Sequence, residues 1–211
     1  MKNLIIIGAR GFGREVYSLA KRAKGYNEDF IIKGFLDSKD NALETFENYP
    51  PIIGSVEDYE INEDDVFICA LGSVKWKKFY VEMILNKKGK FINLIEKSVL
   101  FNENVRIGIG CIICEYTILS NDMIIEDFTT IHPFTNFGHD TKLGKYTHIG
   151  AHCFVGGYTV LEDEVTVYAK ATILDRIRIG KEATIGASSL VIRNVKENTT
   201  VFGIPAKILK F

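Results

Sequence analysis

The sequence lacks any apolar run long enough to cross a bilayer, which takes about 20 consecutive apolar residues. The N-terminus offers one basic residue, Lys2, and an apolar run over residues 4–7. A secretory signal has a longer apolar stretch and a cleavage site with small residues. We therefore predict a cytoplasmic protein that is not inserted into a membrane.

An excess of charge of one sign is also missing. The chain has 26 Lys and Arg residues against 27 Asp and Glu residues, so its net charge is −1. Binding to nucleic acid or to an anionic membrane surface usually depends on a strong positive excess. The composition gives no reason to expect either partner, and we predict no binding to nucleic acid.

Cysteine is scarce, with four residues in 211, as is usual for reduced thiols in a cytosolic protein. Cys111 and Cys114 form a C-x-x-C pair, which is compatible with half of a zinc site or with a redox pair. The sequence has no second pair, and no further cysteine or histidine lies close by along the chain to complete four ligands. We therefore predict no metal site.

What the sequence does have is a repeat of six residues in its second half. Large apolar residues occupy every sixth position from residue 95 to residue 191 without an insertion. The residue four positions later is mostly small or β-branched, and the residue directly after the large one is often glycine. The large positions are Ile95, Phe101, Ile107, Ile113, Leu119, Ile125, Ile131, Phe137, Leu143, Ile149, Val155, Leu161, Val167, Ile173, Ile179, Ile185 and Val191.

A period of six fits neither an amphipathic helix nor an ordinary strand, whose periods are about 3.6 and 2 residues. It is typical of the hexapeptide β-helix, in which each hexad supplies one short strand and one turn. We expect the large residue to fill the interior and the glycine to tolerate the turn backbone. Because each coil buries its apolar edge only against its neighbours, the coils must stack. Such prisms take three hexads per coil, which predicts between five and six coils.

The first half indicates alternating strands and helices. A buried parallel strand is predicted over residues 4–7, followed by a turn with Gly8, Gly11 and Gly13 and by an amphipathic helix that ends near Gly25. Further strands are predicted over residues 30–36, 66–71 and 91–94, with a second helix over 75–88.

The predicted fold class is thus α/β plus β. It consists of a small Rossmann-like βαβ domain over residues 1–94 and a parallel β-helix over residues 95–211 with a short C-terminal tail. The left-handed sense of this β-helix is implied by the family resemblance that its closing segment carries.

The glycine turn reads G-x-x-G-x-G, which is not the dinucleotide spacing G-x-G-x-x-G. Glycine still lets a backbone approach a phosphate, and the N-terminus of the following helix favours negative charge. Asp37, at the end of the second strand, is placed to accept hydrogen bonds from a ribose or a base. The alternative is that Gly11 and Gly13 only form a tight turn.

The end of the repeat carries a family resemblance. Ungapped hexads followed by Val201-Phe202-Gly203-Ile204-Pro205-Ala206-Lys207 resemble the left-handed β-helix acyltransferases, whose repeats commonly close with V-x-G-x-P-A-K/R. The resemblance implies acetyl-CoA as co-substrate, bound in grooves between the prisms of a homotrimer. A trimer would also cover apolar residues expected to point outward from the prism. These residues are Ile112, Ile118, Ile124 and Phe154.

Together with the first half, nearly the whole chain is similar to one subgroup, the sialic acid O-acetyltransferases and UDP-4-amino-sugar N-acetyltransferases. In that subgroup the N-terminal domain holds the nucleotide of a nucleotide-sugar. The contacts that the resemblance implies here are Arg10, Gly11, Phe12, Asp37, Ser38 and Gly72.

Two positions of this domain depart from the subgroup's pattern. Arg10 stands where a small residue is usual, so its side chain either pairs with a phosphate or blocks it. The run after Gly72 reads S-V-K-W-K instead of the usual N-x-x-x-R.

The four histidines all lie between residues 132 and 152. Acetyl transfer needs a base, and histidine is suited to this task near neutral pH. His139 is the third residue of its hexad, in a turn, and the adjacent carboxylate of Asp140 makes the imidazole a better base. This segment resembles the family's I-x-H-[DE]-x-x-I-G, in which the histidine is the catalytic base. By the same resemblance His148, Gly157, Ala169 and Ala187 contact acetyl-CoA.

The predicted function is transfer of an acetyl group from acetyl-CoA to an amino or hydroxyl group of a sugar, which we expect to be nucleotide-linked. Three alternatives stay open. One is an acetyltransferase for a small molecule such as serine, without a nucleotide site. The second is a catalytically inactive trimeric prism that serves as a binding module. The third is a zinc enzyme of the carbonic anhydrase kind.

Overall fold

The computed structural model describes residues 1–209, and the last two residues of the predicted second domain lie outside this range. The chain divides into two compact units, Met1–Lys97 and a second unit that begins at Ser98. The predicted boundary, between residues 94 and 95, lies three residues before this division. No helix within residues 1–209 is long and apolar enough to cross a membrane.

The first unit is built on a four-stranded parallel sheet with the strand order β2-β1-β3-β4. Its elements are β1 (Lys2–Ile7), α1 (Gly11–Ala20), β2 (Phe30–Leu36), β3 (Asp65–Cys69), α2 (Val74–Asn86) and β4 (Lys90–Phe91), followed by β5 (Leu94–Ile95). The predicted Rossmann-like βαβ arrangement is confirmed. Every residue of β3 is buried, as expected for a strand in the middle of a parallel sheet.

The strand order creates a switch point beside β1. The chain leaves β1 for β2 on one side and later enters β3 on the other side. Open α/β sheets bind ligands in the crevice that such a reversal leaves at the carboxyl ends of the strands. Gly13 makes this crevice possible, because a Cβ at Gly13 would collide with the carbonyl group of Gly8 at the end of β1.

A buried carboxylate anchors the opposite end of β3. Asp65 accepts hydrogen bonds from Lys33 Nζ at 2.8 Å, from the Tyr59 hydroxyl at 2.8 Å and from the backbone N–H of Asn62 at 2.9 Å. Burial by itself pushes the pKa of Asp65 up, but the hydrogen bonds from Lys33 and Asn62 outweigh it and leave the pKa lowered. The ionised carboxylate therefore stabilises the folded first unit.

The second unit is a left-handed parallel β-helix of triangular section, as predicted. Its three faces are named in the order in which the chain meets them. The first face consists of β6 (Leu100–Phe101), β9 (Ile118–Leu119), β12 (Asn136–Phe137), β15 (Phe154–Val155), β18 (Thr172–Ile173) and β21 (Leu190–Val191). The second face consists of β7 (Arg106–Ile107), β10 (Ile124–Ile125), β13 (Lys142–Leu143), β16 (Val160–Leu161) and β19 (Arg178–Ile179). The third face contains β8 (Ile112–Ile113), β11 (Thr130–Ile131), β14 (His148–Ile149), β17 (Thr166–Val167), β20 (Thr184–Ile185) and β22 (Thr200–Phe202), and β23 (Lys207–Ile208) pairs antiparallel with β22.

Up to β21, neighbouring strands of a face pair residues that are 18 positions apart, such as Asn136 with Phe154 and Lys142 with Val160. The last coil is shorter, since Thr184 of β20 pairs with Thr200 of β22, 16 positions later. One coil thus takes three hexads, and within residues 1–209 the first face has six strands and the second has five. These numbers confirm the predicted five to six coils.

The large residue of each hexad is buried from Ile113 to Val191, which confirms the predicted interior. The three earlier positions are only partly buried, and Phe101 is 38% exposed. A terminal coil has a stacked neighbour on one side only, so its apolar residues are covered less completely.

The structure gives the repeated glycines a different reason from the one we expected. The left-handed backbone of each turn lies two residues later and, except at Gly110, is adopted by non-glycine residues from Asn104 to Ser188, with φ between 56° and 62°. A Cβ at Gly144 would lie 2.6 Å from the backbone nitrogen of Asp163, and one at Gly150 would lie 2.5 Å from that of Ala169. Glycine is therefore needed because the turn of the next coil packs directly against it.

We predict that Gly144→Ala destabilises the prism. Its methyl group would overlap the backbone of the following coil, and overpacking of this kind typically costs about 1–3 kcal/mol. Scanning calorimetry should show a lower melting temperature for the second unit. Ala187→Ser, a change at an exposed turn residue of the same prism, should leave that temperature near wild type. An unchanged melting temperature for Gly144→Ala would contradict the packing argument.

We also predict a pH-dependent loss of stability for Asp65→Asn. The folded pKa of Asp65 is lowered, so its contribution is present above the unfolded pKa of about 3.9 and is lost as the pH falls through the folded value. At pH 7 the variant should lose about 2 kcal/mol of unfolding free energy, and the difference should shrink at pH 3.

Urea unfolding followed by the fluorescence of Trp76, the single tryptophan of the chain, reports on the first unit. The matched control is Asp64→Asn, because Asp64 is 61% exposed and pairs with Lys2 at the surface; it should lose much less. A difference for Asp65→Asn that is as large at pH 3 as at pH 7 would refute the assignment.

Candidate active site

The first unit contains a cavity of about 400 Å³ at the switch point of its sheet. Four of the six residues predicted to contact a nucleotide line this cavity, namely Arg10, Asp37, Ser38 and Gly72. They come from the loops that follow β1, β2 and β3. The cavity walls are mainly apolar with a few polar groups, which is the usual character of a small-molecule site.

Asp37 holds the loops around the cavity together. Its side chain is only 7% exposed. Oδ2 accepts a hydrogen bond from the backbone N–H of Ala9 at 2.9 Å, and Oδ1 accepts one from the backbone N–H of Lys39 at 3.0 Å. The carboxylate that we expected to meet a ribose or a base is thus also used to fix the turn after β1.

Arg10 reaches over this carboxylate. Its Nη2 lies 3.9 Å from Asp37 Oδ1, and its side chain is 70% exposed. The guanidinium group therefore faces the mouth of the cavity while Asp37 restrains it from one side.

The other two predicted contacts lie beside the cavity. Gly11 and Phe12 form the first turn of α1 and do not line the cavity. A Cβ at Gly11 would meet nothing within 4 Å, so packing inside this domain does not require glycine at that position.

Three lining residues that the sequence reasoning missed come from α2. Ser73 is the N-cap of this helix, and its hydroxyl accepts a hydrogen bond from the backbone N–H of Trp76 at 3.5 Å. Trp76 and Tyr80 lie one and two turns further along the helix. Burial raises the pKa of the Tyr80 phenol, as does the carboxylate of Glu57, whereas a hydrogen bond with Ser38 opposes the shift. The spacing of four residues from residue 72 could have revealed both aromatic residues, since i and i+4 share a helix face.

On the prism, His139 and Asp140 form a hydrogen-bonded pair in the turn between β12 and β13. His139 Nδ1 lies 2.7 Å from Asp140 Oδ2, and the His139 side chain is 55% exposed. The pair depends on the left-handed backbone of Asp140, which has φ 58° and donates its N–H to the carbonyl of Asn121 on the preceding coil. An ionised carboxylate can only accept, so in the neutral imidazole this contact favours the tautomer that has its hydrogen on Nδ1 and leaves Nε2 as an acceptor.

The turns of the next two coils continue this site. A Cβ at Gly157 would lie 3.2 Å from His139 Nε2, so glycine leaves the room that the imidazole occupies. The Tyr158 ring packs edge-to-face against the His139 ring with centroids 4.9 Å apart, and the Arg176 guanidinium lies 4.6 Å from the Tyr158 centroid. Sequence reasoning missed Tyr158 and Arg176, although a step of 18 residues from residue 140 leads to both.

The other residues predicted to contact acetyl-CoA lie elsewhere on the protomer. His148 is on β14 of the third face, where its ring is 4.8 Å from that of His132. Ala169 and Ala187 are exposed in stacked turns between the third and the first face. Only Gly157 shares a corner with His139, so a single protomer does not bring the predicted set together.

Metal-binding residues are not clustered within residues 1–209, where no group of three or more His, Cys, Asp or Glu is arranged to hold an ion. Cys111 and Cys114 are both buried. The Cys111 thiol contacts the carbonyl oxygen of Glu126 at 3.3 Å, so it belongs to the packed interior of the prism.

Comparison with protein-family models gives two matches. Residues 3–84 match the PglD N-terminal domain, and residues 122–157 match the bacterial transferase hexapeptide model of six repeats. The chain thus joins a PglD-type domain to transferase hexapeptide repeats. The second match includes His139 and Asp140 and ends at Gly157, the residue next to the His139 imidazole.

Solved structures share this fold along the whole chain. PerB from Caulobacter crescentus, in complex with CoA and GDP-perosamine, superimposes with a TM-score of 0.88 at 20% identity and covers 100% of this chain and 98% of its own. The acetyltransferase domain of PglB from Neisseria gonorrhoeae, in complex with acetyl coenzyme A, has a TM-score of 0.89 at 23% identity with 99% of both chains covered. At this level of identity the similarity concerns the fold.

Curated relatives match a shorter segment. A 2,3,4,5-tetrahydropyridine-2,6-dicarboxylate N-acetyltransferase from Staphylococcus aureus is 41% identical over 51 residues, which are 24% of this chain and 21% of that protein. A serine acetyltransferase from Buchnera aphidicola is 40% identical over 53 residues, 25% of this chain and 20% of its own. The chain spans about a fifth of the length of these relatives.

Proposed function

We propose that the protein is an acetyltransferase that moves the acetyl group of acetyl-CoA to an amino or hydroxyl group of a nucleotide-linked sugar. The observation that carries this proposal is the hydrogen-bonded His139–Asp140 pair, which is exposed on the hexapeptide prism. The cavity in the PglD-type domain supports the sugar substrate, and PerB, which has the same fold, is known with CoA and GDP-perosamine bound.

In this mechanism His139 is the general base. Asp140 accepts the Nδ1 hydrogen and keeps Nε2 available. Nε2 takes the proton that the sugar nitrogen or oxygen loses as it attacks the acetyl carbonyl carbon. The carbon–sulfur bond then breaks, and CoA leaves with this proton as its thiol. The Tyr158 ring packs edge-to-face against the imidazole. This contact helps to keep the imidazole in one orientation towards the substrate.

Acetyl-CoA would lie in a groove between two prisms. We assign His148, Gly157, Ala169 and Ala187 to this groove, and because they occupy different sides of one protomer, the groove needs two copies. A homotrimer would supply it and would cover the first face, where Ile118 is 37% and Phe154 is 47% exposed. Ile124 is partly exposed, whereas the prediction that Ile112 is exposed on the protomer is wrong, since its side chain is fully buried.

The nucleotide is assigned to the cavity of the first unit. Arg10, Asp37, Ser38 and Gly72 line it, and we place Gly11 and Phe12 at its rim. The same cavity argues against an acetyltransferase for a small molecule without a nucleotide, although the curated relatives include a serine acetyltransferase. The curated matches cover about a quarter of the chain and leave the rest unexplained.

The first test is an assay of thiol release from acetyl-CoA with UDP-, GDP-, dTDP- and CMP-linked sugars that carry either a free amino group or only hydroxyl groups. Release with at least one nucleotide-sugar is expected, together with an acetylated sugar in the mass spectrum. Release with serine but with no sugar would favour the small-molecule enzyme. An inactive binding module would release no thiol with any acceptor.

We predict that His139→Asn lowers kcat by about 10²–10⁴-fold, the usual value of general-base assistance. The affinity for acetyl-CoA, measured by calorimetry, should change little. His152→Asn is the matched control, because His152 is an exposed histidine in another turn and asparagine tolerates its left-handed backbone. Normal turnover in His139→Asn would remove this histidine from the mechanism.

Asp140→Asn should lower kcat less than His139→Asn does. Asparagine keeps the left-handed backbone, so the turn is preserved, but its amide no longer forces the hydrogen onto Nδ1. The expected result is a reduced kcat with an unchanged KM for the sugar. A variant with full activity would show that Asp140 only shapes the turn.

Sedimentation tests the trimer. A particle of three times the 23.8 kDa protomer mass is expected, and Phe154→Glu on the first face should shift it towards monomers. A wild-type protein that stays monomeric at assay concentrations while turning over would refute the shared groove.

A further inference from the structure

The first unit has a second cavity that the proposed catalysis does not use. It encloses about 330 Å³ and is lined by Arg10, Arg14, Lys39 and Ala42. Three of these four residues are cations, and no carboxylate lines it. Arg10 also lines the larger cavity at the switch point, so the two cavities meet at this side chain.

The chain around this cavity is held in place by its surroundings. Arg14 lies in the first turn of α1, four residues after the N-cap residue Arg10, and its guanidinium carbon lies 3.6 Å from the centroid of the Phe46 ring. Lys39 is fixed through its backbone N–H, which donates to Asp37 Oδ1 at 3.0 Å. These contacts restrain the chain on both sides of the cavity before any ligand arrives.

The side chains that line the cavity carry three positive charges and no negative charge. Asp37 pairs with Arg10 and offsets one of these charges, and its oxygens also accept the backbone N–H groups of Ala9 and Lys39. The first turn of α1 contains no acidic side chain. Three positive charges around one cavity repel each other, and a bound anion offsets this repulsion.

We infer that this second cavity binds a phosphate-class anion through Arg10, Arg14 and Lys39. Arginine suits this task because its planar guanidinium donates two parallel hydrogen bonds to phosphate oxygens. The anion has two candidate sources. The first is the diphosphate of a nucleotide-sugar whose nucleoside occupies the larger cavity, and this source rests on the proposed function. The second source is a free phosphate or pyrophosphate bound beside the nucleotide. In either case Arg10 binds phosphate rather than blocking it.

The test is calorimetric titration of the full chain with inorganic pyrophosphate, with four nucleosides (uridine, guanosine, thymidine and cytidine) and with their diphosphates. Arg14→Gln and Lys39→Gln should each weaken the anionic probes by about tenfold, the loss expected for one charge-assisted hydrogen bond. The uncharged nucleosides should bind within about twofold of wild type, a change too small to represent a lost hydrogen bond.

Lys21→Gln is the matched control. It removes one exposed positive charge just after the C-terminal end of α1, about 16 Å along the helix axis from Arg10. At physiological salt this exceeds the screening length of about 8 Å, so all affinities should stay near wild type. Equal melting temperatures of the variants establish that they are folded.

Two results support the inference and separate the two sources. If Arg14→Gln lowers the affinity for a nucleoside diphosphate, and that diphosphate displaces pyrophosphate from the wild-type protein, the bound anion is the diphosphate of the nucleotide. If Arg14→Gln lowers only the affinity for pyrophosphate, and the wild-type protein binds pyrophosphate and the nucleoside diphosphate at the same time, the anion is a separate ligand.

Two results overturn it. One is a wild-type protein that binds neither pyrophosphate nor any nucleoside diphosphate. The other is a pair of variants, Arg14→Gln and Lys39→Gln, that bind both kinds of probe as tightly as wild type. Pyrophosphate binding does not depend on acetyl transfer, so an absence of thiol release with every sugar would refute the proposed function without deciding this inference.

Discussion

The close stacking of one turn on the next is the constraint on which the prism depends. Every coil before the last spans 18 residues, and its turns approach the following coil so closely that a side chain at Gly144 or Gly150 would meet backbone atoms. The same register places the turn of His139 above that of Gly157 and Tyr158. Inserting or deleting one residue in any hexad would shift all later turns by one position and would remove this alignment.

The two units place their polar side chains at different parts of the fold. In the prism the strands point their large residues inward, so reactive groups are confined to the turns and the outer faces, where His139 and His148 are found. In the first unit the sheet is buried, and polar groups gather where the strands end. Asp37 illustrates this second arrangement, because one carboxylate fixes two loops and also restrains Arg10.

The comparisons differ in how much of the chain they cover. The curated acetyltransferases match about a quarter of the chain, whereas a solved structure with bound CoA matches all of it in fold. The chain joins hexapeptide repeats to a domain with cavities of its own. We attribute the choice of acceptor to the cationic and aromatic residues of that domain, because Arg10, Trp76 and Tyr80 distinguish its cavity from a bare glycine turn.

The sequence by itself determined the architecture, because a period of six is incompatible with helices and ordinary strands and each hexad adds the same unit. It also predicted the pairing of His139 with Asp140 because the two residues are adjacent, although the left-handed backbone at Asp140 belongs to the stacked turn. Only the tertiary structure decided which residues meet across coils, such as Tyr158 with His139, and which line one cavity from different elements, such as Arg14 and Lys39. It also corrected the role of the glycines and the exposure of Ile112. These features depend on contacts between residues far apart in the chain, which a local pattern does not encode.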